Sequence, residues 1–232
     1  MMADTLTGKL HPVTKWSLII GPVLVVIFNF LLPTNGVSPV DPEDTATFIG
    51  KLGADADMAQ IYMVIILLGI ILYTRAIIGL FMVTPTGSRS RARMSIGMLG
   101  GVAALSLWGV TIGLGLAEAS GAEAAVAGSA AGTAVATSMH AAFFGVYQAA
   151  TFVAYISLIP LGGGIAVSGT VRKEFGWIII IIGAVTVIMT AIMPVKTEAG
   201  IMIFGIMAVI WGVVFLAMGL QIMRQDMNSS SG

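Results

Sequence analysis

The sequence predicts an all-α fold: a polytopic transmembrane bundle of six spans with both termini in the cytoplasm. Three observations carry that expectation. Of 232 residues, 57% are hydrophobic and 9% charged, against about 25% charged in ordinary soluble domains. The mean hydropathy is +1.00, so the chain lacks the polar material to cover a water-facing surface. The apolar residues fall in six continuous runs, each near the roughly 20 residues needed to cross a hydrocarbon core of about 30 Å. In lipid every backbone polar group needs an internal partner, which makes such runs helices. Their lack of alternation excludes a β-barrel.

The predicted spans are about 16–32, 59–83, 94–117, 139–159, 175–193 and 200–223, within a single domain. A short cytoplasmic arm (1–15) precedes them and a cytoplasmic tail (224–232) follows. The first span follows Lys9 and Lys15. It is longer than a signal-peptide core and no small-residue cleavage site follows, so it reads as a retained helix. Orientation follows from the loop cations. Lys9, Lys15, Arg89, Arg91, Arg93, Arg172, Lys173 and Arg224 share one side, and Lys51 and Lys196 the other. Asp41, Glu43, Asp44, Asp55, Asp57, Glu118, Glu123 and Glu198 collect on that second, external side. Such an acidic face attracts cations, and it is also what remains when basic residues are excluded.

Between the first two spans, Pro42 to Leu52 predicts a short interfacial helix with Phe48, Ile49 and Leu52 toward the membrane or the bundle. The stretch Ala119–Ser138, almost all Ala, Gly, Ser, Thr and Val, forms the second external connection, either as close-packed helix ends or as a flexible strap. Pro160 and Gly162–Gly164 predict a kink or an end to the fourth span.

Balanced charge, with eleven basic and eleven acidic residues, gives no footprint for nucleic acid. The absence of Cys and the presence of only two His argue against thiolate metal sites and multi-haem chemistry. No cofactor, metal site or catalytic set is predicted. The polar residues at membrane depth are the functional candidates. Arg75 lies inside the second span, where charge is costly, although a long side chain there can snorkel to the cytoplasmic interface. Glu174 and Asp226 are its possible partners, and Tyr73 beside it reads as interfacial. Glu118 and His140 flank the external strap and could pair. Gln148 and Tyr155, seven residues apart, share a helix face with Thr151 and Ser157 nearby. That face either lines a solute path or hydrogen-bonds between helices. Asn29 and Tyr147 are the other polar groups at depth.

Packing motifs are plentiful. Gly97, Gly101, Gly109 and Gly113 step along the third span, Ala141, Gly145 and Ala149 along the fourth, and Gly205, Gly212 and Gly219 along the sixth. Small residues at such spacing let helix backbones approach closely.

Asp41-Pro-Glu-Asp-Thr-Ala, Asp55-Ala-Asp57, Leu72-Tyr73 before a basic residue, and Val171-Arg-Lys-Glu-Phe-Gly-Trp177 together resemble one group of proteins. It is a family of six-helix bacterial membrane proteins known mainly as a domain of unknown function. The chain carries Glu174 where that family typically has Pro. The resemblance implies the fold and a location in the bacterial cytoplasmic membrane, and no activity.

Two functions from different classes follow. One is a non-catalytic accessory or scaffold subunit packing against membrane lipids and other membrane proteins, or against itself. The other is a small transporter or channel for a solute, proton or lipid.

Overall fold

The computed structural model describes residues 10–35 and 39–230, with side chains through Gln225. Among these residues there are seven helices and no strand: α1 (Pro12–Leu31), α2 (Thr45–Ala54), α3 (Ala56–Met82), α4 (Arg89–Val126), α5 (Ala130–Ser168), α6 (Lys173–Ile192) and α7 (Glu198–Ser230). All but α2 are long and apolar enough to cross a membrane. The chain is a multi-pass, all-helical membrane protein. Lys9, most of the predicted arm and the Asp226 side chain lie outside the described residues.

The helix ends follow local chemistry. Pro12 opens α1, its missing N–H costing nothing in the first turn, and His11 Nδ1 accepts from Val13 N–H at 3.2 Å. Asp44, Ser88 and Ser129 cap α2, α4 and α5 by accepting from Thr47, Arg91 and Gly132 N–H, each satisfying a donor that the helix cannot. The Asp44 carboxyl is held below its usual range by its hydrogen bonds to Thr47.

Two open readings are decided and one expectation is corrected. Ala119–Ser138 takes the helix-end form and is almost wholly helical: α4 runs to Val126, α5 starts at Ala130, and the reversal occupies 127–129, where Gly128 has φ 89°. Alanine is the best helix former, and a low hydropathy says nothing against a helix. Pro160 does not end the fourth span. α5 continues to Ser168 and stops at Gly169, in the left-handed conformation at φ 72°, the usual helix terminator. Tyr73 is buried rather than interfacial, at 6% exposure.

Side-chain contacts sort the helix ends into two faces. At the basic end, Ser90 Oγ donates to Gly164 O at 2.7 Å, Arg172 N–H donates to Gln221 Oε1 at 3.5 Å, and Gly219 lies on Leu18. At the acidic end, Gln60 donates to Ser120 at 3.3 Å and Asn35 to Asn29 at 3.2 Å. α2 plugs this acidic end, its Phe48, Ile49 and Leu52 buried with Ala119, Ala122, Ala136 and Phe144. A second core fills the basic half around Leu18, Leu80, Leu158, Ile179 and Phe215. The outward faces are apolar, with Phe30, Leu99, Trp177, Ile188 and Ile192 each more than half exposed, as a hydrocarbon solvent permits.

Candidate functional site

Arg75 sits half-buried at the basic end, where its guanidinium donates to Thr14 Oγ1 at 3.2 Å. Glu174, named as its possible partner, instead pairs with Arg172 at 3.4 Å in the open. Thr14 is available because Gly79, one turn beyond Arg75, brings α1 and α3 together at that point.

Glu118 and His140 do meet. His140 Nδ1 lies 2.7 Å from Glu118 Oε1, and Nε2 lies 2.8 Å from the Pro42 carbonyl. Glu118 is 1% exposed and His140 6%. A carbonyl oxygen can only accept, so Nε2 must carry a hydrogen. Nδ1 then either accepts from a carboxylic acid or, as imidazolium, donates to a carboxylate. Both arrangements hold one shared proton and leave the pair neutral. The ring is wedged against Phe48 and Phe144, with centroids 4.7 and 4.9 Å away. Among the described residues no third carboxylate or imidazole gathers there. The arrangement ties α4, α5 and the entry to α2 into one unit. At about 1.5 Å per residue, Glu118 is some 36 Å along α4 from Met94, placing it at the acidic end of the bundle rather than halfway along it.

Gln148 and Tyr155 do not serve a common cavity. Gln148 Nε2 donates to Thr190 O and its Oε1 accepts from Val195 N–H, both at 2.7 Å. It thereby satisfies two backbone groups where Pro194 stops α6 from continuing. Tyr155 points elsewhere, its ring 5.6 Å from Trp211 of α7.

That second direction leads to a chamber of about 110 Å³ enclosed by α1, α3, α4, α5 and α7. Tyr73, Trp108, Tyr147, Tyr155 and Trp211 line it, and no charged side chain among the described residues does so. Tyr73 stacks on Trp211 with centroids 5.0 Å apart. Two polar atoms are buried here without a hydrogen bond: Thr151 Oγ1 and Trp211 Nε1. Thr151 is the exception among its kind. The hydroxyls of Thr74, Thr111, Thr186 and Thr190 all donate to the carbonyl four residues back, the usual resolution inside a helix. A larger gap of about 420 Å³ between α1 and α7 shares Val25, Asn29, Tyr147 and Ala208 with the chamber.

The glycine motifs divide. A Cβ at Gly97 would come within 2.7–2.9 Å of Leu161. Gly212 and Gly219 meet Val26 and Ile19 of α1. Gly101 has ordinary contact with Ile77 at 3.8 Å, and Gly109, Gly113, Gly145 and Gly205 have nothing within 4 Å. Of the eight candidate packing glycines, those four make no close contact with the described residues. Close approaches also fall at glycines outside the predicted set, such as Gly100 on Ser157 and Gly162 on Gly176. Trp211 was likewise missed, since a tryptophan in an apolar run carries no sign that its N–H lacks a partner. No protein-family model, curated protein or solved structure matches the chain.

Proposed function

We propose that the chain is a non-catalytic accessory subunit of the bacterial cytoplasmic membrane, both termini cytoplasmic, that packs against a partner transmembrane helix. One observation carries the reading. Ala141, Gly145 and Ala149 form a small-residue row on α5, yet all three are exposed and Gly145 has no neighbour within 4 Å. Association of helices in lipid depends on close packing at such rows, and this one is unused among the described residues. Gly113 on α4 is exposed in the same way.

The test is gentle extraction from native membranes, followed by sizing and identification of what co-migrates with wild type and with Gly145→Leu. Stoichiometric co-migration that Gly145→Leu abolishes, with the thermal midpoint of the isolated chain unchanged, supports the reading. A lone 24.0 kDa unit, or a complex indifferent to Gly145→Leu, overturns it.

A small transporter is the second reading, favoured by the opening between α1 and α7. The apolar lining suits a lipid-like cargo better than an ion. Arg75 and Gln148 are held by Thr14 and by backbone, so Arg75→Gln leaves such a flux intact.

A further inference from the structure

We propose that the aromatic chamber is a binding site for an uncharged amphiphile: a head bearing a carbonyl oxygen enters the chamber, and its apolar tail lies in the gap between α1 and α7. This is independent of partner docking on α5. Thr151 Oγ1 and Trp211 Nε1 are buried donors without an acceptor, in an interior where an unmade hydrogen bond is costly. Thr151 is 2% exposed and forgoes the backbone carbonyl that its fellow threonines use. The missing complement of both atoms is an oxygen acceptor, and because neither atom has open surface in the unliganded chamber, a ligand oxygen reaches them as the side chains packed over them turn aside. Charge is excluded by the lining, which offers no counter-ion. Flat rings on Tyr73, Tyr155 and Trp211 favour a planar or slim head.

The route in follows from the seam between α1 and α7. Gly219 and Gly212 bring the two helices together toward the basic end, and Gly205 meets nothing. The helices therefore part toward the acidic end. The gap so formed is lined by Val25, Phe30, Met202, Ile206 and Val209, a surface for a hydrocarbon tail. It opens toward the acidic end, beside Asn35 and Pro39.

Two sources share this chemistry, a quinone and an acyl ester lipid. The whole chain, purified in dodecyl maltoside, is titrated with decylubiquinone and separately with 1,2-dioctanoylglycerol. Thermal midpoint is the readout for both, and tryptophan quenching a second readout for the quinone. A ligand that binds only the native state raises the midpoint saturably. Response to decylubiquinone alone assigns a quinone head, response to dioctanoylglycerol alone an ester head, and response to both a carbonyl as sufficient. Gly205→Phe fills the mouth where space is open and should abolish the response. Thr151→Val removes the unpartnered hydroxyl at nearly constant shape. It should weaken binding about two- to twelvefold, the range for one neutral hydrogen bond, while the unliganded midpoint holds or rises. The proposal is overturned if neither probe gives a saturable response, as for a chamber that holds only water. It is equally overturned if the response survives undiminished in both variants, as for partition into the micelle, or if Thr151→Val lowers the unliganded midpoint.

Discussion

Along α4, α5 and α6 the helices touch backbone to backbone, whereas α1 and α7 meet at one end and part at the other. Gly97 and Gly100 of α4 lie on Leu161 and Ser157, Gly162 of α5 lies on Gly176, and Gly183 of α6 on Tyr155 O. The seam of α7 closes at Gly219 and Gly212 and opens at Gly205. Both regions carry glycines at helical spacing, so spacing alone does not explain the difference. Connectivity does not either: Gly21 of α1 and Gly69 of α3 meet backbone to backbone although α2 lies between the two helices in the chain. What differs is what faces each glycine. At Gly97, Gly162 and Gly183 it is backbone of the opposing helix, and at Gly205 it is nothing within 4 Å. Small residues permit approach; the surface opposite decides whether the approach is made.

The largest expected effect breaks that comparison with one substitution made twice. At Gly97 a methyl would sit 2.7–2.9 Å from Leu161, including its backbone nitrogen, which cannot step aside without moving α5. Gly97→Ala should cost about 1–3 kcal/mol, the range for overpacking. At Gly113 the same methyl meets nothing, and Gly113→Ala should stabilise by about 0.5–1 kcal/mol through helix propensity. Reversible unfolding of the two variants in micelles decides it. Equal signs would mean that α4 and α5 are not in contact at Gly97.

An effect of comparable size is expected at the acidic end. Glu118→Ala leaves His140 Nδ1 without its partner in a buried site, for an expected loss of about 3 kcal/mol. Glu118→Gln can donate an amide hydrogen to the neutral ring while Nε2 keeps Pro42, and should cost no more than about 1 kcal/mol. Hydrogen exchange reports the linkage, since the α2 amides should lose protection in Glu118→Ala and keep it in Glu118→Gln. If both variants lose it alike, the pair is an imidazolium–carboxylate that needs its charge.

The sequence made the six spans legible because hydropathy reads burial in lipid directly. It made helix ends less legible, because Ala119–Ser138 is helical without being hydrophobic, and Pro160 and Gly162–Gly164 are tolerated where α4 and α6 crowd round them. Glu118 and His140 stand out in sequence as rare ionisable groups near a membrane, and they do form a pair. Their third member, the Pro42 carbonyl, is backbone and has no sequence mark. The chamber was hidden for a related reason: Thr151 and Trp211 are ordinary residues, notable only for the partners they lack. A side chain's identity is written in the sequence, but whether its hydrogen bond is made is settled by every helix around it.

The smallest effect tests whether the acidic end also depends on charge in its surface caps. Asp44 is fully exposed and accepts from Thr47 N–H at 3.2 Å. Its folded value lies below the unfolded one, so its ionised form stabilises α2. That contribution is complete above the ordinary aspartate value and lost as pH falls through the lowered folded value. Asn is as good a cap acceptor but carries no charge. Asp44→Asn should therefore lower the thermal midpoint slightly at neutral pH, and the two proteins should converge as pH falls past the carboxylate range. High salt should narrow the gap as well, because the helix-end field at an exposed site is screened. A difference that persisted unchanged in acid would assign the effect to cap geometry instead, leaving Glu118, His140 and Pro42 as the attachment that holds α2 in place.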